Sequence, residues 1–172
     1  TDTRTKLDVV LDLRKTKTRV FPNVAPKLIV DSEILIDESR GKHAVFPLGG
    51  ISNAHLVLCN EEGPWVSFKS DRYGYNNDDS VYENNPGGDR IVLLGDSFTQ
   101  GYCVARKDSV AGQLIERGHN VINYGTGGNG PLMELAVLKE YGVHLKPKYI
   151  FWIFNKYDHG DLALEYENKF LR

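Results

Sequence analysis

The sequence predicts an α/β fold whose second half contains a parallel sheet. Three apolar runs, at residues 90–94, 120–124 and 149–154, alternate with segments of helical pattern over about 80 residues. Such continuous apolar runs are typical of strands buried on both faces of a sheet. Strands that alternate with helices form parallel sheets with right-handed crossovers.

Composition bounds the class of protein. The chain has 172 residues, 41% of them hydrophobic and 26% charged, with a net charge of −2. These values are typical of a soluble globular protein, and the length suits one domain or one domain with an appendage. A net charge near zero disfavours a nucleic-acid partner. We expect no membrane span and no signal peptide, since no apolar run approaches the roughly 20 residues that a span needs and residues 1–4 are polar.

The first half combines one helix with a β-rich region. Residues 6–14 have helical spacing, with Asp2, Thr3 or Thr5 as the candidate N-cap, and Pro22 and Pro26 end this pattern. Short β-branched runs follow, and a turn that contains Gly63 predicts a hairpin over residues 56–66. The predicted strands are residues 28–30, 34–36, 44–47, 55–59 and 65–68.

The second half begins after a loop-like segment. Residues 71–89 are rich in Asn, Asp, Gly and Tyr, which favours a loop and predicts a domain boundary, with a first domain of residues 1–85 and a second of 86–172. Pro131 stands at the first position of one predicted helix. The helices predicted between and after the strands cover residues 110–117, 132–141 and 162–171.

Two cysteines, Cys59 and Cys103, stand 44 residues apart without the spacing of a zinc site. We expect both to be buried free thiols, with a disulfide bond as the alternative.

Each of the three apolar strands is followed by an unusual polar loop. The first, residues 95–101, contains Asp96 and Ser97, and the second, residues 123–131, is rich in glycine and contains Asn129. The third, residues 155–162, contains Asn155, Asp158 and His159. Since functional groups collect at the carboxyl ends of parallel strands, we expect these loops to form one site.

The loops resemble conserved blocks of the SGNH/GDSL hydrolases, a family of serine esterases, in their bacterial type. Residues 91–101 (IVLLGDSFTQG) are similar to block I and residues 123–128 (NYGTGG) to block II, while residues 70–77 resemble an element that often precedes block I. The resemblance covers about residues 70–172. It implies a flavodoxin-like fold with three layers, which the small β-rich region inferred above precedes in the chain.

The resemblance also implies chemistry. Ser97 would attack an ester carbonyl of a small-molecule or glycan substrate, and the amides of Ser97 and Gly128 would bind the oxyanion. Asp96 would orient the loop by bonding to local backbone. No cofactor or metal is implied.

Two departures from the family pattern concern catalysis. Block III normally brings an oxyanion asparagine to the position that Tyr157 occupies, so Asn155 or Asn129 would have to replace it. No aspartate is followed three positions later by histidine, so the family's D-x-x-H block with the general base is missing. We expect that block to lie beyond Arg172.

Less specific interpretations stand beside this one. Ser97 could be a turn residue on a non-catalytic SGNH-like binding module. Gly125, Gly127 and Gly130 satisfy G-x-G-x-x-G, which is typical of dinucleotide binding, but no acid lies about 20 residues further on. Among the five histidines, only His159 follows a predicted strand. The ester, the compartment and the oligomeric state are not encoded in any of these patterns.

Overall fold

The protein is a mixed α/β structure with two small sheets. The structure, a computed structural model, describes residues 2–31, 47–61, 63–83, 89–168 and 171. The prediction of an α/β fold with a parallel sheet is confirmed, since one of the two three-stranded sheets is parallel throughout. In the described part of the chain, no helix is long and apolar enough to cross a bilayer.

The first sheet belongs to the amino-terminal half. Helix α1 packs Val9 and Val10 against the first two strands, and Thr5 caps it in a capping box with Asp8. The predicted hairpin is confirmed by the antiparallel second and third strands. The elements of this half, in chain order, are α1 (Lys6–Arg14), β1 (Val20–Pro22), α2 (Pro26–Asp31), β2 (His55–Cys59) and β3 (Val66–Lys69).

One strand prediction in this half is wrong. Residues 28–30 lie in α2, and the side chain of Leu28 is 65% exposed, so no sheet buries it. Pro26 opens this helix, where its fixed φ suits the first turn. The predicted strand at residues 34–36, and residues 44–46 of the next, lie outside the described residues.

The parallel sheet has the order β5-β4-β6. Its central strand packs on both faces, because Val92 and Leu94 contact one apolar cluster while Ile91 and Leu93 contact another. The elements of this half are β4 (Arg90–Gly95), α3 (Ser97–Gln100), α4 (Val110–Glu116), β5 (Asn120–Asn123), α5 (Pro131–Val137), β6 (Tyr149–Ile153) and α6 (Asp158–Tyr166).

The predicted helices of this half agree with the structure except at three ends, one of which is the end of α6 at Tyr166 instead of residue 171. Residues 138–142 continue α5 as a π-helical turn. Helix α6 begins at Asp158 instead of residue 162, so much of the third polar loop is helical. Its first turn has Asp158 and Asp161, which suit a helix N-terminus.

The polar segment before β4 is packed rather than open. Asp71 is fully buried, and its carboxylate accepts hydrogen bonds from the Tyr73 and Tyr75 amides and from the Asn77 and Tyr82 side chains. Asn77 also pairs with both backbone groups of Asn123 on β5. The segment therefore packs on the parallel sheet and is held to it by hydrogen bonds. The domain boundary at residue 85 stays a prediction.

The expectation of free thiols is wrong. Cys59 at the end of β2 forms a disulfide with Cys103, which follows α3. Sequence separation carries no information on this proximity, since Cys59 lies on a strand of the first sheet and Cys103 lies in a loop of the other half of the chain. The bond ties the first sheet to the loop beside Ser97.

Candidate active site

Ser97 stands where the central strand ends. Gly95, the last residue of β4, has a φ of +151°, and a methyl group on it would lie 2.1 Å from Thr99 Oγ1 and 2.9 Å from the Ile153 carbonyl oxygen. Only glycine fits this turn without displacing its neighbours. The turn thus places Ser97 at the start of α3, partly exposed at the carboxyl edge of the sheet.

Asp96 holds the first loop and the third together. Its Oδ1 accepts a hydrogen bond from the Phe98 amide at 3.0 Å, and its Oδ2 accepts one from Asn155 Nδ2 at 2.6 Å. The Asn155 Oδ1 in turn accepts from the Tyr157 amide at 2.7 Å. Asp96 has the geometry of an orienting residue, as the sequence predicts.

The second loop joins the first through Gln100 and Asn123. The Gly127 amide donates to Gln100 Oε1 at 2.9 Å, and Asn123 Nδ2 donates to the Thr99 carbonyl at 2.7 Å. A methyl group on Gly125 would lie 2.3 Å from the Gln100 amide nitrogen, so this approach of two loops requires glycine. The three loops therefore meet at one edge of the sheet, as expected from the parallel topology.

The Ser97 hydroxyl has no hydrogen-bond partner among the described residues. Its position faces the second loop, because a methyl group on Gly127 would lie 3.6 Å from Ser97 Cβ. His159 is exposed on α6, and no histidine in the described ranges hydrogen bonds to Ser97. A serine therefore lies at the expected end of the strand, and no histidine is among its contacts in these residues.

The candidate oxyanion donors differ in availability. Gly128 is exposed, has a φ of +85°, and its amide bonds to no acceptor in the described part of the chain. Asn155 already uses its side chain on Asp96 and Tyr157, and the Tyr157 side chain is 66% exposed. Asn129 is buried, with both polar atoms of its amide unpartnered in the structure. Gly128 is the donor that is best placed to meet a ligand.

A buried acid, Glu134, lies on α5 behind these loops. It is 1% exposed, and its Oε2 accepts a hydrogen bond from Trp152 Nε1 while its Oε1 has no partner in the structure. Burial raises the pKa of Glu134 to about 7; the Trp152 hydrogen bond opposes this shift, and the charges of Asp158, Asp96 and Glu165 add to it. The site thus contains a carboxyl group that titrates near neutral pH.

A second buried acid closes the amino-terminal end of α5. Glu165 of α6 accepts from the Gly130 amide at 2.7 Å, the Leu132 amide at 2.8 Å and the Met133 amide at 3.3 Å. Burial raises the pKa of Glu165, and these three amides oppose that shift. An internal carboxylate therefore occupies the position that a phosphate would take at a helix N-terminus.

A groove opens beside Ser97. It has a volume of about 340 Å³ and is lined by Glu61, Ser97, Phe98, Gly101, Tyr102, Val104, Asp108, Ser109 and Val110. A larger cavity of about 660 Å³ lies away from Ser97, between residues 76–81, Arg106 and the start of β5. Within the described ranges, no group of three or more histidine, cysteine or acidic side chains could hold a metal ion.

No pattern in the sequence indicates Gln100, Glu134 or Glu165 as site residues. Each reads as an ordinary polar position on a helix, and no spacing marks it as buried. Only tertiary packing shows that Gln100 holds the second loop and that the two acids lie inside.

No family model, curated protein or solved structure matches this chain.

Proposed function

We propose that this protein is a serine esterase of the SGNH/GDSL type, which hydrolyses ester-linked acyl groups with Ser97 as the nucleophile. One observation carries the proposal: the strand-to-helix turn at Gly95 presents an unpartnered serine hydroxyl at the carboxyl edge of a parallel sheet. This is the position at which α/β sheets place functional groups.

The strand order of the parallel sheet supports the flavodoxin-like fold that the family resemblance implies. The order β5-β4-β6, numbered within the sheet, is 2-1-3, which is the start of the flavodoxin-like order 2-1-3-4-5. Both faces of β4 carry apolar clusters, as a sheet between two layers of helices requires. We infer a flavodoxin-like arrangement on these grounds.

The reaction has two steps. Ser97 Oγ bonds to the ester carbonyl carbon and gives its proton to a general base, and the alcohol leaves with a proton as the carbon–oxygen bond breaks. Water then attacks the acyl-serine, releasing the carboxylic acid and restoring the hydroxyl. The amides of Ser97 and Gly128 are the proposed donors to the oxyanion of both steps.

The general base of this reaction is not assigned to any residue of this sequence. The resemblance assigns it to a D-x-x-H element, which these 172 residues do not contain. The assays below therefore test Ser97 itself and do not depend on which residue is the base.

The decisive experiment compares the native protein with Ser97→Ala on p-nitrophenyl acetate. We expect kcat/KM to fall at least about a thousandfold, since loss of a nucleophilic serine removes covalent catalysis. Ser67→Ala is the matched control, because Ser67 is an exposed serine on β3 away from the three loops. Equal turnover by the native protein and Ser97→Ala would refute the proposal.

A non-catalytic binding module is the second candidate. It is favoured by the lack of a histidine contact to Ser97 within the described ranges and by Tyr157 in the position of the family's asparagine. A fluorophosphonate probe separates the two candidates, because it labels only an activated serine. Labelling of the native protein but not of Ser97→Ala would eliminate this candidate.

The geometry disfavours nucleotide binding through Gly125, Gly127 and Gly130. The Glu165 carboxylate already binds the amides at the start of α5, so a diphosphate would meet a negative charge there. We expect saturating NAD to leave the melting temperature unchanged.

A further inference from the structure

The groove beside Ser97 has the composition of a binding site for an apolar chain. Phe98, Tyr102, Val104 and Val110 line it and are 70%, 40%, 39% and 46% exposed, so large apolar side chains face solvent around one serine. Its volume of about 340 Å³ lies at the small end of the range for small-molecule sites. Exposed apolar side chains that gather around a reactive group indicate a ligand surface.

The wall of the groove is held in place. The Cys59–Cys103 disulfide anchors the loop between Tyr102 and Val104 to β2. At the other end, a methyl group on Gly101 would lie 2.6 Å from Ser109 Cβ, so the loop packs closely on the start of α4. Because the groove is fixed at both ends, the protein loses little conformational entropy when a ligand binds there.

The charges on the groove have one sign. Glu61 and Asp108 line it, and among the residues that the structure describes no lysine, arginine or histidine does so. A carboxylate on a bound chain would lie near these two like charges, and such a juxtaposition is unfavourable.

We propose that this groove binds the acyl chain of the substrate and selects short, uncharged, apolar acyl groups over anionic ones. This inference depends on the proposed function, because Ser97 must carry the acyl group for the chain to lie along Tyr102, Val104 and Val110. Each methylene that the groove buries favours the longer ester by about fourfold.

The first test compares p-nitrophenyl acetate and butyrate on the native protein, Val110→Trp and Ile115→Trp. Val110 and Ile115 lie on the same helix and are equally exposed, at 46%, but Ile115 does not line the groove. The native protein and Ile115→Trp should prefer butyrate in kcat/KM by roughly fifteenfold, from two further methylenes. Val110→Trp should lose that preference, because the indole fills the groove.

The second test concerns charge. The native protein should hydrolyse an aryl monosuccinate at least about tenfold less efficiently than the butyrate, and Asp108→Lys should reverse most of that difference. Glu116→Lys makes the same change of charge on α4 outside the groove and should leave the ratio unchanged.

The outcomes separate the two proposals. No Ser97-dependent turnover of any ester would overturn both. Ser97-dependent turnover, with the same acyl preference in Val110→Trp as in Ile115→Trp, would overturn the groove alone. An unchanged succinate ratio in Asp108→Lys would overturn the selection by charge.

Discussion

Glu134 gives the protein a pH dependence of stability that a single substitution can isolate. The side chain is 1% exposed and its pKa is raised from 4.5 to about 7. Glu134→Gln keeps the size of the side chain and an oxygen that accepts from Trp152, but removes the charge. The substitution therefore removes the free-energy cost of ionising this buried carboxyl group and changes little else.

The sign follows from proton binding. Between pH 4.5 and about 7 the folded protein holds the Glu134 proton more tightly than the unfolded chain does, so the free energy of unfolding falls as pH rises through this range. Since one pKa unit corresponds to about 1.4 kcal/mol, the full loss is about 3 kcal/mol. Below pH 4.5 the acid is protonated in both states, and this contribution to stability is fully present.

The assay is urea unfolding of the native protein and Glu134→Gln at pH 4, 6 and 8. The two proteins should have similar stability at pH 4, and the variant should be more stable by up to about 3 kcal/mol at pH 8. Glu140→Gln, an exposed position after α5, is the control and should show no such rise. A difference that does not change with pH, or a less stable variant at pH 8, would refute the reasoning.

Three further predictions concern the fold around the site. Replacing Cys59 and Cys103 by serine should lower the free energy of unfolding by about 2–4 kcal/mol, since the bond closes a long loop. The stability of this variant should not respond to dithiothreitol. Equal stability of the variant and the native protein in urea would contradict this estimate. Gly95→Ala should cost more than Gly118→Ala in the same assay, because both glycines have positive φ but only Gly95 lacks room for a methyl group; equal costs would show that the turn can relax. Glu165→Ala should cost at least about 2 kcal/mol, because it leaves buried amides at the start of α5 without an acceptor, whereas Glu167→Ala at an exposed position should be nearly neutral.

Local signals in the sequence were sufficient for the parallel sheet and for the ends of several helices. Thr5 with Asp8, and Pro131 at the first turn of α5, act within a few residues of the chain, so they can be predicted without tertiary information. The same holds for the hairpin of β2 and β3. The strand predicted at residues 28–30 failed because three apolar residues satisfy both periods, and the proline before them favoured the helix.

The positions of Ser97 and its loops were predictable for a topological reason. Parallel strands end at the same edge, so any polar groups that follow them must lie near one another. What the chain does not encode locally is which groups are buried. Glu134 and Glu165 lie on helices whose sequences carry no mark of an interior acid, and the partners that bury them come from β6 and α6.

Most polar side chains around the site hydrogen bond within the protein, and a few polar groups do not. Asp96 and Asn155 hydrogen bond to each other, and Glu165 caps α5. Each of these polar groups holds a loop in place and already has a hydrogen-bond partner within the protein. Ser97 Oγ, whose residue lines the apolar groove, and the exposed Gly128 amide are left without partners in the described part of the chain. A fold that satisfies most of its polar groups and leaves these two donors unsatisfied retains groups that can bind a polar atom of a ligand, which is what the proposed ester hydrolysis requires of them.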